Sequence, residues 1–321
     1  SERKMKTDST SGPLMLSSKI RMVLSLVSAI FLIGLSSSQN LHTQINPKLL
    51  LTGDDLKNIP SEQKIIIIDT RSKFKFLMGH IPGAINLSNW EKFTSNKNGV
   101  KGVLKDDKAF ISDAIGSLGI DINQHIVIYG DPKNPWRTDG RFFWMFERYG
   151  FTNVSILDGG LKAWKKIGGT VEKGFQKGKE VKKIMPEKIQ LNPEVIADRF
   201  MIKNILNDKN YVLIDNRTKE EYEGSTPYGS HRGGHIPNAK HIHWPKFYKK
   251  DGTLKSLRDL SNLLENEGIH HDQEIVVYCT GGVRSAMAYF VFRYLGFKAR
   301  NYDGSWWDWS NDSNLPVEIS G

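Results

Sequence analysis

Along most of the chain, short runs of consecutive apolar residues alternate with longer amphipathic stretches. Ile65–Ile68 and Ile126–Tyr129 are apolar at successive positions, as strands covered on both faces must be. Phe142–Tyr149 and Ala286–Tyr294 carry apolar residues at helical spacing. Each is followed by a glycine, Gly150 and Gly296, which suits a helix C-terminus. Strands alternating with helices predict an α/β fold, a parallel sheet with helices on both faces.

The pattern is written twice. Ile65–Arg71 matches Tyr211–Arg217, and Gly79-His80-Ile81-Pro82 matches Gly234-His235-Ile236-Pro237. His125–Tyr129 matches Glu274–Tyr278, and Asp158-Gly159-Gly160 with Trp164 matches Asp303-Gly304-Ser305 with Trp309. Order and approximate spacing are kept. Two similar domains are therefore expected, over 47–172 and 191–321, joined by a lysine-rich linker over 173–190. Asp69 and Asp215 read as turn formers at strand ends, and His80 and His235 as structural. Trp164, Trp306, Trp307 and Trp309 read as packing residues.

The N-terminal part departs from this pattern. Lys19 and Arg21 precede the apolar run of residues 22–35, and Ser36, Ser37, Ser38 and Gln39 follow it. A basic region, a short apolar stretch and then small residues predict a secretory signal peptide cut near Ser38. The expected location is exported, periplasmic or secreted, without stable membrane insertion. The alternative is a membrane anchor formed by residues 22–35, a stretch short for a span of ~20 residues. Met15 is a natural start, so residues 1–14 read as lying outside the native leader.

Composition narrows the chemistry. The 321 residues carry a formal net charge of +10, much of it in lysine clusters such as those between Lys162 and Lys183. These read as solvated runs. No nucleic-acid module accompanies them, so no nucleic-acid partner is expected. The single cysteine, Cys279, excludes an intramolecular disulfide and a multi-cysteine zinc site.

Cys279 follows a predicted buried strand, and Thr280-Gly281-Gly282-Val283-Arg284-Ser285 leads from it into a helix. Unpaired amides and the dipole at a helix start favour a thiolate. Gly281 and Gly282 let the backbone curl so that amides point inward, a cradle for an anion. Arg284 is placed to brace the loop or add charge. The arrangement suits a nucleophile that attacks an anionic substrate. Cysteine phosphatases place five residues between Cys and Arg. Here four separate Cys279 from Arg284, a tighter loop that favours a single sulfur over a phosphate or arsenate.

With these motifs the chain resembles the tandem-domain rhodanese family over roughly residues 47–321. The resemblance rests on Cys279–Ala286, the Asp-x-Arg strand ends, both Gly-His-Ile-Pro segments and the Asp-Gly motifs. It implies two rhodanese-like domains, the second catalytic. The first is degenerate, because Gly130 stands where the second has Cys279. It implies a thiosulfate sulfurtransferase that carries sulfur as a persulfide on Cys279 and needs no metal or organic cofactor. Cyanide or a thiol would be the acceptor. By this resemblance Arg217 contacts the anionic donor. Arg284 and the loop residues Thr280, Gly281, Gly282 and Val283 complete the expected substrate site. Mercaptopyruvate is the rival donor, and the family's mercaptopyruvate enzymes often carry an arginine at the position of Glu221. An acid there is expected to repel a carboxylate. A persulfide carrier or interaction module without turnover is the remaining alternative.

Overall fold

The computed structural model describes residues 45–175 and 178–319, which fall within one unit containing both copies of the repeat. The leader predicted over residues 15–38, with its apolar run at 22–35, lies outside the described residues. The first half contributes strands β1 (Leu50–Leu51), β2 (Ile65–Asp69), β3 (Ile85–Asn86), β4 (Thr94–Lys97), β5 (Val100–Leu104), β6 (His125–Tyr129) and β7 (Val154–Leu157). The second contributes β8 (Ile196–Ala197), β9 (Tyr211–Asp215), β10 (Lys240–His241), β11 (Glu274–Tyr278) and β12 (Ala299–Tyr302). The sheets run β1-β7-β6-β2-β3 and β10-β9-β11-β12-β8, and β4 and β5 form a separate hairpin. Every pairing within the two five-stranded sheets is parallel. Read from the opposite edge, the second order repeats the first strand for strand. The expected α/β fold, with two similar domains each built on a parallel sheet, is the observed one.

Four helices carry or brace the cleft residues: α1 (Thr138–Arg148), α2 (Lys219–Tyr222), α3 (Arg284–Tyr294) and α4 (Ser305–Asn311). Two of them, α1 and α3, are the helices read from the apolar periodicity. They begin earlier than expected and end before Gly150 and Gly296, both at positive φ. Every residue of α3 from Arg284 to Phe292 is buried. An amphipathic helix buries one face on its own sheet. This one also buries the other against α1 from the first half. Phe143 meets Phe290 edge-on at 5.0 Å between ring centres, and Arg293 pairs with Glu147 at 3.1 Å.

The crossing is close because α1 carries Gly140. A Cβ there would lie 2.7 Å from Met287 Cγ and 2.8 Å from Met287 Cα. The second of these is backbone and cannot swing aside. Gly140→Leu should therefore lower the urea midpoint of the whole chain, at a cost of about 3 kcal/mol, the upper end for overpacking.

The stretch read as the linker packs back on the first half. Lys182 donates its amide to the Gly116 carbonyl at 2.9 Å, and Ile184 and Ile189 are buried. In β2 and β9 the last residues, Asp69 and Asp215, stand in register with Tyr129 and Tyr278. Parallel pairing thus delivers the end of β9 and the residue before Cys279 to the same sheet edge.

Candidate active site

At that edge, residues 279–283 link β11 to α3. The equivalent link in the first half, residues 130–137 between β6 and α1, is longer. The short link turns sharply. Gly282 has φ +74, and a Cβ there would lie 2.6 Å from the Asp303 carbonyl oxygen, so the position requires glycine. Neighbouring elements fix its shape. The amides of Trp306 and Trp307, in the first turn of α4, donate to the carbonyls of Cys279 and Thr280, each at 3.0 Å. The Cys279 amide donates to Ser305 Oγ at 3.2 Å. The Gly282 carbonyl accepts from Asn301 Nδ2 at 3.0 Å and, across the domain boundary, from an Arg141 guanidinium nitrogen at 3.1 Å. Arg141 also pairs with Asp303 at 2.7 Å. A buried arginine of the half without a cysteine therefore holds the loop of the half that has it.

The Cys279 side chain is 1% exposed. Burial by itself pushes a thiol up. Here the Arg284 charge, the Ser285 hydroxyl and the amides of Ser285 and Gly281 outweigh it, and the thiol lies below its ordinary value. Ser285 Oγ stands 3.5 Å from Cys279 Sγ and 2.7 Å from Asn301 Oδ1, so its single proton is shared between two acceptors.

Arg284 does not stand free in the pocket. Both its terminal nitrogens bond Glu221, at 2.7 Å each, and one also donates to Thr280 Oγ1 at 2.7 Å. Glu221, on α2, accepts from Thr280 Oγ1 as well at 2.7 Å. Burial works to raise its carboxyl, and the Arg284 contact overrides this and holds it at about 2. The expectation that Glu221 repels a carboxylate is corrected here. Its charge is engaged by Arg284 inside the protein, and the pair presents little net charge outward.

Arg217 also requires correction. Its guanidinium grips Asp215 with bonds of 2.6–3.0 Å, donates to the Gly234 carbonyl at 2.7 Å and lies over the Trp306 ring. Both partners are buried, and Arg217 does not line the cleft above Cys279. In the first half Arg71 makes the same bonds to Asp69 and the Gly79 carbonyl. That half has no cysteine, and bracing of the strand end accounts for the geometry in both halves. Arg217→Lys should cost roughly 1–2 kcal/mol in stability by breaking the planar fork. The rate at which the anion iodoacetate alkylates Cys279 should stay within about twofold of wild type, far from the one to two decades that loss of a charge-assisted contact at the site would cost.

Thr280, Gly281, Val283 and Arg284 line the cleft together with Cys279, whereas Gly282 faces away toward Asp303 and Arg141. The cleft holds about 330 Å³ and lies between the two halves. Trp90 and Trp136 come from the first half, Tyr228 and Trp307 from the second. Trp164, Trp306 and Trp309 are core residues as expected, but Trp307 is a wall of the cleft. His80 and His235 stack on Phe76 and Tyr222, at 3.7 and 3.6 Å, and each bonds the carbonyl of the residue it stacks on. Among the described residues, no group of three or more His, Cys, Asp or Glu side chains is placed to hold a metal ion.

Known proteins share this outline. The rhodanese-like domain model matches twice, over residues 52–167 and 201–312. The chain is 31% identical to the sulfur carrier protein TtuD of Thermus thermophilus, covering 85% of this chain and 97% of that one. It is 28% identical to a thiosulfate sulfurtransferase of Azotobacter vinelandii, covering 84% and 97%. The wild-type structure of EanB superposes with a TM-score of 0.73 at 21% identity, over 85% of this chain and 70% of that one, a likeness of fold.

Proposed function

The chain belongs to the rhodanese family of sulfurtransferases, and from that premise we propose that it moves sulfane sulfur from thiosulfate to a thiophilic acceptor through a persulfide on Cys279. The observation that carries this reading is the single thiol at the base of the cleft, with its pKa lowered by Arg284, Ser285 and two loop amides. The Cys279 thiolate attacks the outer sulfur of thiosulfate. The sulfur–sulfur bond of the donor breaks and sulfite leaves with the electron pair. The persulfide anion then takes the thiolate's place beside Arg284 and the amides, which are already oriented and need no rearrangement. An acceptor nucleophile attacks the outer sulfur, and the thiolate returns. Thiosulfate is preferred to mercaptopyruvate as donor because the Azotobacter relative, matched over most of both chains, carries the thiosulfate name.

Mass spectrometry tests the reading. Protein treated with thiosulfate should gain one sulfur, and cyanide should remove it. Unchanged mass at saturating thiosulfate overturns it. A second reading, a carrier that keeps its sulfur for a partner protein, is supported by the name of the Thermus relative. Loading without multiple turnover on small acceptors would favour it.

The lowered thiol also makes a pH prediction. Cys279 should be alkylated by iodoacetamide with a rate that rises through a midpoint below that of a free cysteine, ~8.5. In stability the sign follows from the same depression. The contribution is present above the unfolded thiol's value and is lost as pH falls through the folded one. A midpoint at or above that of free cysteine would show that burial wins.

We further propose export, on the basic-apolar-small pattern of residues 15–38. N-terminal sequencing of native protein should begin near Gln39. Among the described residues no helix is long and apolar enough to cross a membrane.

A further inference from the structure

The cleft above Cys279 is larger and more aromatic than thiosulfate or cyanide requires. Its volume of about 330 Å³ falls in the range of small-molecule sites, whereas the inorganic donor has five atoms and cyanide two. Four aromatic side chains converge on it, Trp90, Trp136, Tyr228 and Trp307. They are not core residues that happen to reach a surface. Trp306 and Trp309 are completely buried, but Trp136 and Tyr228 each remain 39% exposed. Exposed rings on a concave surface carry a standing cost in apolar hydration that a flat ligand would relieve.

Their arrangement is held in place. Trp136 and Tyr228 meet edge-on at 5.4 Å between ring centres, one from each half. Trp307 donates its indole N–H to the Tyr228 carbonyl at 3.1 Å, and its ring stands where a Cβ on Gly281 would lie 2.7 Å away. The Arg284 guanidinium lies over both Trp136 and Tyr228, at 5.4 and 5.3 Å, so the walls are tied to the base of the site. A persulfide on Cys279 carries its reacting sulfur about 2 Å beyond Sγ, and Cys279 lines the same cleft as these rings.

We infer that the physiological acceptor is an organic thiol with a planar aromatic body, bound between the tryptophan and tyrosine walls. This rests on the persulfide reading above and names its second substrate. The acceptor thiolate attacks the outer sulfur of the Cys279 persulfide. A new sulfur–sulfur bond forms on the acceptor, the enzyme's sulfur–sulfur bond breaks, and the electron pair returns to Cys279. No redox partner is needed.

The test is discharge of preloaded enzyme, monitored by mass spectrometry and by stopped-flow. Loading by thiosulfate is verified first, so failure to load is a failure of the persulfide reading and not of this one. Benzylthiol, cyclohexylmethanethiol and 2-mercaptoethanol are then compared as acceptors, with rates expressed per thiolate so that acidity does not enter. Benzylthiol should exceed 2-mercaptoethanol by at least ~10-fold in second-order rate and exceed cyclohexylmethanethiol by several-fold, because ring–ring contact adds to apolar burial. Trp136→Ala and Trp307→Ala should each shrink the benzylthiol advantage over 2-mercaptoethanol by several-fold. Equal rates for benzylthiol and 2-mercaptoethanol on loaded wild type would overturn the inference. So would an aromatic advantage that survives both substitutions, which would place the ring elsewhere.

Discussion

Cys279→Ser should reduce sulfur transfer to the uncatalysed level, a loss of roughly 10⁴–10⁶-fold in kcat, with the fold retained. The reason is chemical. The chain has a single thiol, and a serine hydroxyl is neither ionised near neutral pH nor able to hold a sulfane sulfur as a persulfide. The substitution changes one atom at a fully buried position. Ser285 Oγ, 3.5 Å from Sγ, is too far to pair with an oxygen on the shorter C–O bond, so burying the new hydroxyl should cost about 1–3 kcal/mol. Circular dichroism and a urea melt check the fold, and sulfite release checks the activity. The mass of the variant should not change with thiosulfate. Activity above one hundredth of wild type in the serine variant would remove Cys279 from the mechanism.

Glu221→Ala should destabilise the chain by about 3–5 kcal/mol, because it leaves the buried Arg284 guanidinium without its counter-charge. Thr280 loses the same partner. Glu221→Gln separates the charge from the contacts. The amide oxygen can still accept from Thr280 and one Arg284 nitrogen, while its NH2 faces the donors that bonded the second oxygen, so it should cost less than the alanine but not be neutral. The pH dependence gives an independent reading. The Glu221 carboxyl is held at about 2 against an ordinary value of 4.5, a difference that corresponds to ~3 kcal/mol at 1.36 kcal/mol for each pH unit. Because the folded value is the depressed one, this stability is complete above 4.5 and is lost as pH falls toward about 2. Neither variant should show that portion of the acid loss. An alanine variant within about 1 kcal/mol of wild type at pH 7 would mean that Arg284 finds another partner.

Cys279 and Glu221 differ in how plainly the sequence announces them. The sheets were readable because the repeat wrote each strand twice and the runs around Ile126 and Val276 are apolar without interruption. Cys279 was readable because strand, thiol, glycines and helix follow one another directly. The positions that depart from expectation do so for different reasons. Glu221 is 63 residues from Arg284, and nothing beside it announces that its charge is already taken. Arg217 had a usable signal, since its copy Arg71 is present in the half without a cysteine. Trp307 had one too. Trp306 and Trp309, three apart on α4, share the core side, whereas Trp307 is turned about 100° from Trp306 on the helix and so leaves the core. Arg141 had none, because its contact with Gly282 crosses 141 positions and a domain boundary.

The two links between strand and helix, 130–137 and 279–283, differ by three residues, and that difference has an evolutionary consequence. In the half with the thiol the five-residue turn is tightly constrained, because Gly282 sits at positive φ against the Asp303 carbonyl. The turn of the other half is longer and carries Trp136 out to the shared cleft. If the aromatic wall selects the acceptor as proposed, variation in this turn changes the selection while the residues around Cys279 stay as they are. In such a pair, divergence among descendants should collect in residues 130–137 more than in 279–283. Swapping that segment between paralogues is a direct route to changing acceptor preference.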